Sequence, residues 1–413
     1  MLHPLAIVAV LLLGLALMVL PRRYAVLPMI IMACFVSSRQ RLVIATLDFD
    51  LLRILVLFGC ARLVLRNDTV AFRWNLTDKA IVFWTTIALV LYTVRIGTSD
   101  ALVNRLGHSF DALGMYFLFR CLVRSWEDVD QVILGCIWIS VPVALFFLLE
   151  RSTGRNLFSV FGGVSAITVI RHGRLRCQGA FSHPILAGCF WASLMPLFAA
   201  QWWKSGGGKK WAVTGVITSS VIVFCCASST PVFGVLAVII GAATFYVRRH
   251  MKIVRWAVIV ILTGLHLVMH APVWHLIARV SAVGGSVSWH RYNLINQAVN
   301  HLGEWCLLGI TATGHWGVTD ITNQYILEGL GGGLTTLVLF VTIIVLSFKK
   351  VGILWRQWSD DQYRLALCWA LGVSLFVHCM QFLGVSYFGQ IYMVWYLLLA
   401  MIASIASAPQ TVD

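Results

Sequence analysis

Thirteen apolar stretches, most of them close to twenty residues long, run through this chain at 4–20, 24–38, 42–65, 79–96, 101–123, 128–149, 183–203, 211–228, 230–247, 253–271, 324–348, 363–383 and 387–406. A helix of about 20 apolar residues crosses the hydrocarbon core of a bilayer. The chain is therefore expected to be an all-α polytopic membrane protein, one transmembrane domain over 1–413. About twelve helices are expected. The second stretch is short, and it reads either as a helix of its own or as one broken unit with the first.

Composition agrees. Hydrophobic residues make up 60% of the chain and charged residues 11%, roughly half the charged share of a soluble domain. The first twenty residues have no basic flank before them, and Pro21-Arg22-Arg23 follows directly. They read as a retained helix, not a cleaved leader. The 11 cysteines are scattered, with Cys225-Cys226 the one close pair and no CxxC. Neither a disulfide framework nor a zinc site is expected from such spacing.

Lysine and arginine in short connections set orientation. Lys204 to Lys210, Arg248 to Arg255, Lys349 to Arg364 and the stretch around Arg120 and Arg124 form a consistent cytoplasmic set. Segments 151–182 and 272–323 then fall on the outer side. Connections of that length are usually functional when they are ordered. The second carries Trp274, Trp289, Trp305 and Trp316, as expected of amphipathic helices lying at an interface.

The outer stretches hold the informative charges. The total of 31 lysines and arginines against 16 acids, a net +15, follows from the positive-inside bias and anionic headgroups. That bias does not account for Arg151, Arg155, Arg171, Arg174 and Arg176 gathering after Glu150 on the outer side. Arginine offers a permanently charged planar fork that pairs bidentately with phosphate oxygens. Arg171, Arg174 and Arg176 are candidate ligands for a diphosphate-linked lipid. His183-Pro184 opens the next apolar stretch. Proline suits a first helical position, and the N–H groups there attract anions. Arg291, with Leu294 and Ile295 on the same predicted helical face, is a further phosphate ligand candidate. His315 and Asp320 are the nearest candidates for a general base.

Within the apolar stretches, Glu328 needs a partner or water. Asp48, Asp50 and Arg53 are expected to pair with one another, and Gly329, Gly331, Gly332 and Gly333 to let helices pack closely.

Three short patterns resemble the O-antigen ligase family of bacterial membrane glycosyltransferases. They are Arg176-x-x-Gly179-x-Phe181-x-His183-Pro184, Arg291 followed later by Leu308-Gly309, and Asn323-x-Tyr325-Ile326 leading to Gly333-Leu334. The resemblance implies a GT-C-like helical fold with its active site facing the periplasm, in the bacterial inner membrane. It implies transfer of a glycan from undecaprenyl diphosphate to an acceptor sugar hydroxyl, with no metal or other cofactor. The partners so implied are the lipid-linked donor, a lipid A–core or growing-glycan acceptor and membrane lipids, with no nucleic acid. The family's two diphosphate-holding arginines correspond to Arg176 and Arg291. His183, Asn323 and Tyr325 fall in its substrate-binding stretches. The chain departs from the pattern in two places. Thr322 stands where the family usually has a histidine, and Gly331 where it usually has an acid.

Charge developing on a diphosphate leaving group is what two guanidinium groups and a helix N-terminus would stabilise. The outer acids Glu150, Glu304 and Asp320 are dispersed along the chain, unlike a metal-holding pair. A polymerase of the same superfamily is the nearest alternative, and a non-catalytic relative is another. A transporter or flippase of an anionic lipid-linked solute, using Arg105, His108 and Asp111, is the alternative of another class.

Overall fold

Helices begin where the local chemistry caps them. In the computed structural model, which describes residues 2–44, 47–68, 72–279 and 285–406, α1 (Pro4–Val19) and α2 (Leu27–Phe35) lead into a short antiparallel hairpin, β1 (Arg41–Ile44) and β2 (Leu47–Asp50). Then come α3 (Leu51–Leu65), α4 (Leu76–Ile96), α5 (Ser99–Leu122) and α6 (Trp126–Thr153). The first long connection holds the hairpin β3 (Val169–Arg171) and β4 (Arg174–Arg176). It is followed by α7 (Pro184–Ala200), α8 (Gly208–Cys225), α9 (Ser229–Ala243) and α10 (Met251–Val268). The second carries α11 (Leu276–Arg279), α12 (Gly285–Asn300) and α13 (Leu302–Trp305), before α14 (Gln324–Gln357), α15 (Gln362–Phe382) and α16 (Ile391–Ile405).

Asn75 with Asp78 and Ser125 with Asp128 form capping boxes on α4 and α6, each satisfying two N–H groups that the helix itself leaves unpaired. Among the described residues, six helices are long and apolar enough to cross a membrane, and α1 and α16 are shorter apolar helices. The protein is thus a mostly helical, membrane-embedded chain, 76% helix. α7 sits deepest, packed on α8, α9 and α15, while α16 packs on α5 and α4 on α14. Apolar residues that face outward, such as Leu12, Val64 and Ile253, have lipid as their natural solvent.

The third apolar stretch differs from expectation, because its start is the β1–β2 hairpin and the helix begins only at Leu51. The expected trio there also re-pairs. Asp50 accepts from the Arg53 N–H as the α3 cap, and Asp48 pairs with Arg41. Arg53 donates two 2.7 Å bonds to Asp111 on α5. A bidentate fork to a helix neighbour outcompetes a carboxylate already engaged in capping.

The glycine run also differs. α14 breaks at Gly332 and Gly333, and Gly333 has φ 73°. A side chain there would be strained and would strike the Leu307 carbonyl. The break admits the chain after α13 rather than another helix. Leu334 N–H donates to Cys306 O at 2.8 Å, Ile310 N–H to Leu330 O at 3.0 Å, and Arg95 donates to Leu308 O and Leu330 O. Trp305 and Trp316 are buried with Ala298 and Leu330 in a small core against α14, not spread on an interface. Trp289 is exposed.

Hydrogen bonds sort the helix ends. At one end His3 meets Gln40, Ser38 meets Gln390, Cys177 meets Cys225 and Arg291 meets Thr230. At the other, Arg22 meets Asp128, Lys204 meets Asp130 and Lys350 meets Asn75. Both long connections therefore emerge at the same end of the bundle.

Candidate functional site

Four arginines are buried among the described residues: Arg62, Arg120, Arg176 and Arg291. Arg62 and Arg120 have carboxylate partners, Asp68 and Asp78, both at 3.0 Å. Arg176 and Arg291, 7% and 6% exposed, have no carboxylate within salt-bridge reach among the described residues. Instead they converge on one turn. Arg176 Nη2 donates to Ser228 Oγ at 3.4 Å, and Arg291 Nη2 donates to Ser229 Oγ at 3.2 Å and Thr230 Oγ1 at 2.7 Å. The Nε of each guanidinium is buried without an acceptor.

Each arginine is delivered by a different loop. Arg176 ends β4, opposite Val169. The chain after it is stapled by Glu150, which accepts from Gln178 N–H, Gly179 N–H and the Thr168 hydroxyl at 3.0–3.1 Å. Gly179 has φ +57° and lies against the Phe147 ring, so a side chain there would meet both backbone strain and a clash. Arg291 lies on α12 in a buried stripe with Ser288, Leu294 and Ala298, the i, i+3, i+7 spacing of one helical face. Gly384 leaves room for its guanidinium, since a Cβ there would come within 3.2 Å of Arg291 Cζ.

The turn between them is oriented. Thr230 Oγ1 donates to Gly384 O at 3.3 Å, so its lone pairs face Arg291. Ser228 is the N-cap of α9 yet makes no side-chain cap bond. That helix end leaves N–H groups unpaired and adds positive potential. Burial lowers the pKa of both guanidiniums, and Arg171 lowers that of Arg176 further. A buried cation without a partner costs several kcal/mol. The arrangement is one that an anion would relieve.

The other residues singled out from sequence divide. Arg171 and Arg174 face each other across the β3–β4 hairpin and are exposed, with Arg171 near enough to act on Arg176. His183 caps α7, its Nδ1 accepting from Ile185 N–H at 3.2 Å. The neutral ring then carries its proton on Nε2 and is a donor, not a base. Burial first, then Arg176, lowers the His183 pKa to about 4; Arg171 and Arg39 add to this and Asp320 opposes it. Asp320 is exposed, and its carbonyl accepts from His290 Nε2 at 3.1 Å. Asp320 thus stands at the rim of the site.

His315 is placed elsewhere. Its Nε2 is 2.7 Å from Glu304 Oε2, in a cluster with His301 and Trp316, and the Glu304 pKa is lowered by His315 and then by Trp316. Asn323 is occupied by capping Ile326 N–H and donating to Leu383 O. Tyr325 donates to Cys379 O within a cluster of Phe340 and Phe382. Both side chains are engaged within the helix bundle. Thr322 is not joined to the arginine pair by any contact among the described residues.

Two contributors escaped the sequence reading. One is the Ser228-Ser229-Thr230 turn, visible there only as a near-contact of two apolar stretches. The other is Arg39, which donates to Ser182 O at 3.2 Å; its place with Arg41 between two apolar runs was the only signal.

A second polar place lies inside the bundle. Glu328 accepts from Trp84 Nε1 at 3.1 Å and Gln324 Nε2 at 2.8 Å. It lines a cavity of about 40 Å³ with Arg105, His108 and Asp111. A Cβ on Gly331 would lie 3.7 Å from Arg105.

No protein-family model matches this chain, and no curated protein does.

A titration tests the His183 assignment. The folded pKa of about 4 lies below the ordinary 6.5, so the unfolded chain binds more protons between these values. This contribution to stability is complete above pH 6.5 and is lost as pH falls towards 4. His183→Asn keeps a capping oxygen but does not titrate. Its thermal midpoint is expected to fall less than that of the wild type between pH 7 and pH 4.

Proposed function

We propose that the chain is a glycosyltransferase that takes a glycan from a polyprenyl diphosphate at the outer face of the bacterial inner membrane. The observation that carries this is the pair of buried arginines, without a salt-bridged acid among the described residues, meeting on the Ser228-Ser229-Thr230 turn. In this reading the apolar stretches form twelve or thirteen spans of a GT-C-like bundle, and both long connections face the periplasm.

The acceptor hydroxyl attacks the anomeric carbon, and the bond from that carbon to the diphosphate oxygen breaks. Negative charge then gathers on the departing lipid diphosphate. Arg176, Arg291 and the α9 N-terminus are already oriented towards such charge, so no reorganisation is needed as it develops. The acceptor proton goes to the Asp320 carboxylate at the rim. His183 donates from Nε2 to the bound diphosphate. Arg171 and Arg39 add positive potential without being buried.

Reconstitution with an undecaprenyl-diphosphate glycan distinguishes ligase from polymerase. Product formed only when a lipid A–core acceptor is added means ligation, and chain growth without it means polymerisation. Movement of the donor across the vesicle with no transfer would overturn the proposal in favour of a flippase. Asp320→Asn is expected to slow transfer; wild-type rates in that variant would remove its role as base.

Inorganic pyrophosphate gives a simpler check. An anion that binds only the folded protein stabilises it by mass action, about 2.7 kcal/mol at 100 times Kd. Pyrophosphate is expected to raise the thermal midpoint of the wild type and not that of an Arg176→Ala/Arg291→Ala double variant. An equal shift in both would place the anion elsewhere.

A further inference from the structure

Directly after Arg176 comes Cys177, fully buried. Its N–H donates to the carbonyl of Cys225 at 3.1 Å. Cys225 is the last residue of α8, is fully buried, and stands three residues before Ser228. This one backbone bond ties the first long connection to the turn that receives both arginines. By covalent geometry, a backbone bond of this length holds the two α-carbons within about 7 Å of each other, a range that takes in the roughly 4.4–6.8 Å a disulfide spans. Both are buried free thiols in this structure. Cys226 is directed elsewhere, with its Sγ 3.3 Å from the Cβ position of Gly188 on α7. The sequence spacing of 177 and 225 gave no sign of this pairing.

We propose that Cys177 and Cys225 form a disulfide as the chain matures, and that the bond holds Arg176 at Ser228. The inference rests on the outer-face placement in the functional reading above. Disulfides form and persist in oxidising compartments, and both thiols sit at the end of the bundle assigned to that side. The oxidant is a disulfide-bearing thiol oxidoreductase or small-molecule disulfide. One protein thiolate attacks it, giving a mixed disulfide and releasing one thiolate. The second protein thiolate then attacks the bridged protein sulfur and displaces the other. Two thiol protons leave, and two electrons pass to the oxidant, which becomes a dithiol. The bond forms while the connection docks, before burial closes the pair, and is afterwards shielded from reductant. A cross-link closing a long loop restricts the unfolded chain, and here it also fixes the residue next to a phosphate ligand.

The test is peptide mapping of the full-length protein purified from membranes, with free thiols blocked by N-ethylmaleimide before digestion. The expected result is a linked peptide pair carrying Cys177 and Cys225 that disappears on reduction and is absent from Cys177→Ser. Reduction is expected to lower the thermal midpoint by several degrees, and Cys225→Ser to raise the donor KM more than it lowers kcat. Recovery of both residues as maleimide adducts, or linkage of either to another cysteine, overturns the inference. Transfer activity is measured on the same preparation. Transfer with both thiols free defeats the disulfide alone, and a linked pair in a protein that transfers nothing defeats the functional reading alone. An impermeant thiol label on Arg155→Cys, in a background where Cys60 and Cys306 are serine, reports the side of the membrane independently.

Discussion

Replacing Arg291 with alanine is expected to lower glycan transfer by about 10²–10³-fold, and Arg176→Ala to do the same, with the protein still folded. That range is what removal of one preorganised donor to a developing oxyanion costs. The effect falls on kcat as well as KM, because the charge these groups meet grows during bond breaking. Arg→Lys at either position recovers only part. It restores charge but not the planar fork, and the Ser229 and Thr230 hydroxyls both receive a single Nη2 of Arg291. The double variant is expected to be less impaired than the product of the single effects, since both guanidiniums act on one leaving group. Single-turnover transfer in proteoliposomes checks these values. Wild-type rates in either alanine variant would remove the mechanism.

The second large effect separates these arginines from one that looks alike by burial. Arg120→Met is expected to destabilise the protein by about 3–5 kcal/mol, the cost of leaving a buried charge unpaired. Arg120 donates to Asp78 at 3.0 and 3.3 Å and to Ser404 at 2.9 Å, and Asp78 is fully buried. Asp78 keeps its bonds from Tyr116 and the Asn75 N–H, which cannot neutralise it. Arg120→Met/Asp78→Asn should recover much of the loss. Arg291→Met is expected to leave stability unchanged or to raise it, because no acid is stranded. Thermal midpoints of the purified variants distinguish the two cases. A large loss in Arg291→Met would mean that it is a structural arginine like Arg120.

Local signals carried the helical reading because hydropathy and capping act over a few residues. The start of α7 at Pro184 follows from a proline visible in the chain and was found in place, whereas the Asn323 cap of α14 emerged only from the structure. The same locality misled at three places. The β1–β2 hairpin is as apolar as a helix turn would be. Arg53 has acids three and five residues away but takes Asp111, 58 residues on. The tryptophans of the second connection suggested an interface, yet Trp305 and Trp316 are buried with Ala298 and Leu330, and Trp305 lies against Gly329 of α14.

The arginines themselves were legible as charges in an unusual position. Their distinguishing property was not, because it is an absence of acids around them, among the described residues, in three dimensions. Arg176 reaches Ser228 across 52 residues, and Arg291 reaches Thr230 across 61. No pattern along the chain links those positions. Similarly, His315 and Asp320 are five residues apart and equivalent as candidate bases, but the His315 ring is engaged by Glu304, while Asp320 is exposed with its carbonyl held by His290.

By itself, the sequence determined that this chain lives in lipid, where most of its helices run, and which long connections carry surplus positive charge. These are properties of single residues and their near neighbours, summed along the chain. The tertiary structure decided which two of those charges lose their water, which hydroxyls receive them, and that no carboxylate among the described residues accompanies them. Burial and pairing depend on groups brought together from distant parts of the chain, and only packing sets them.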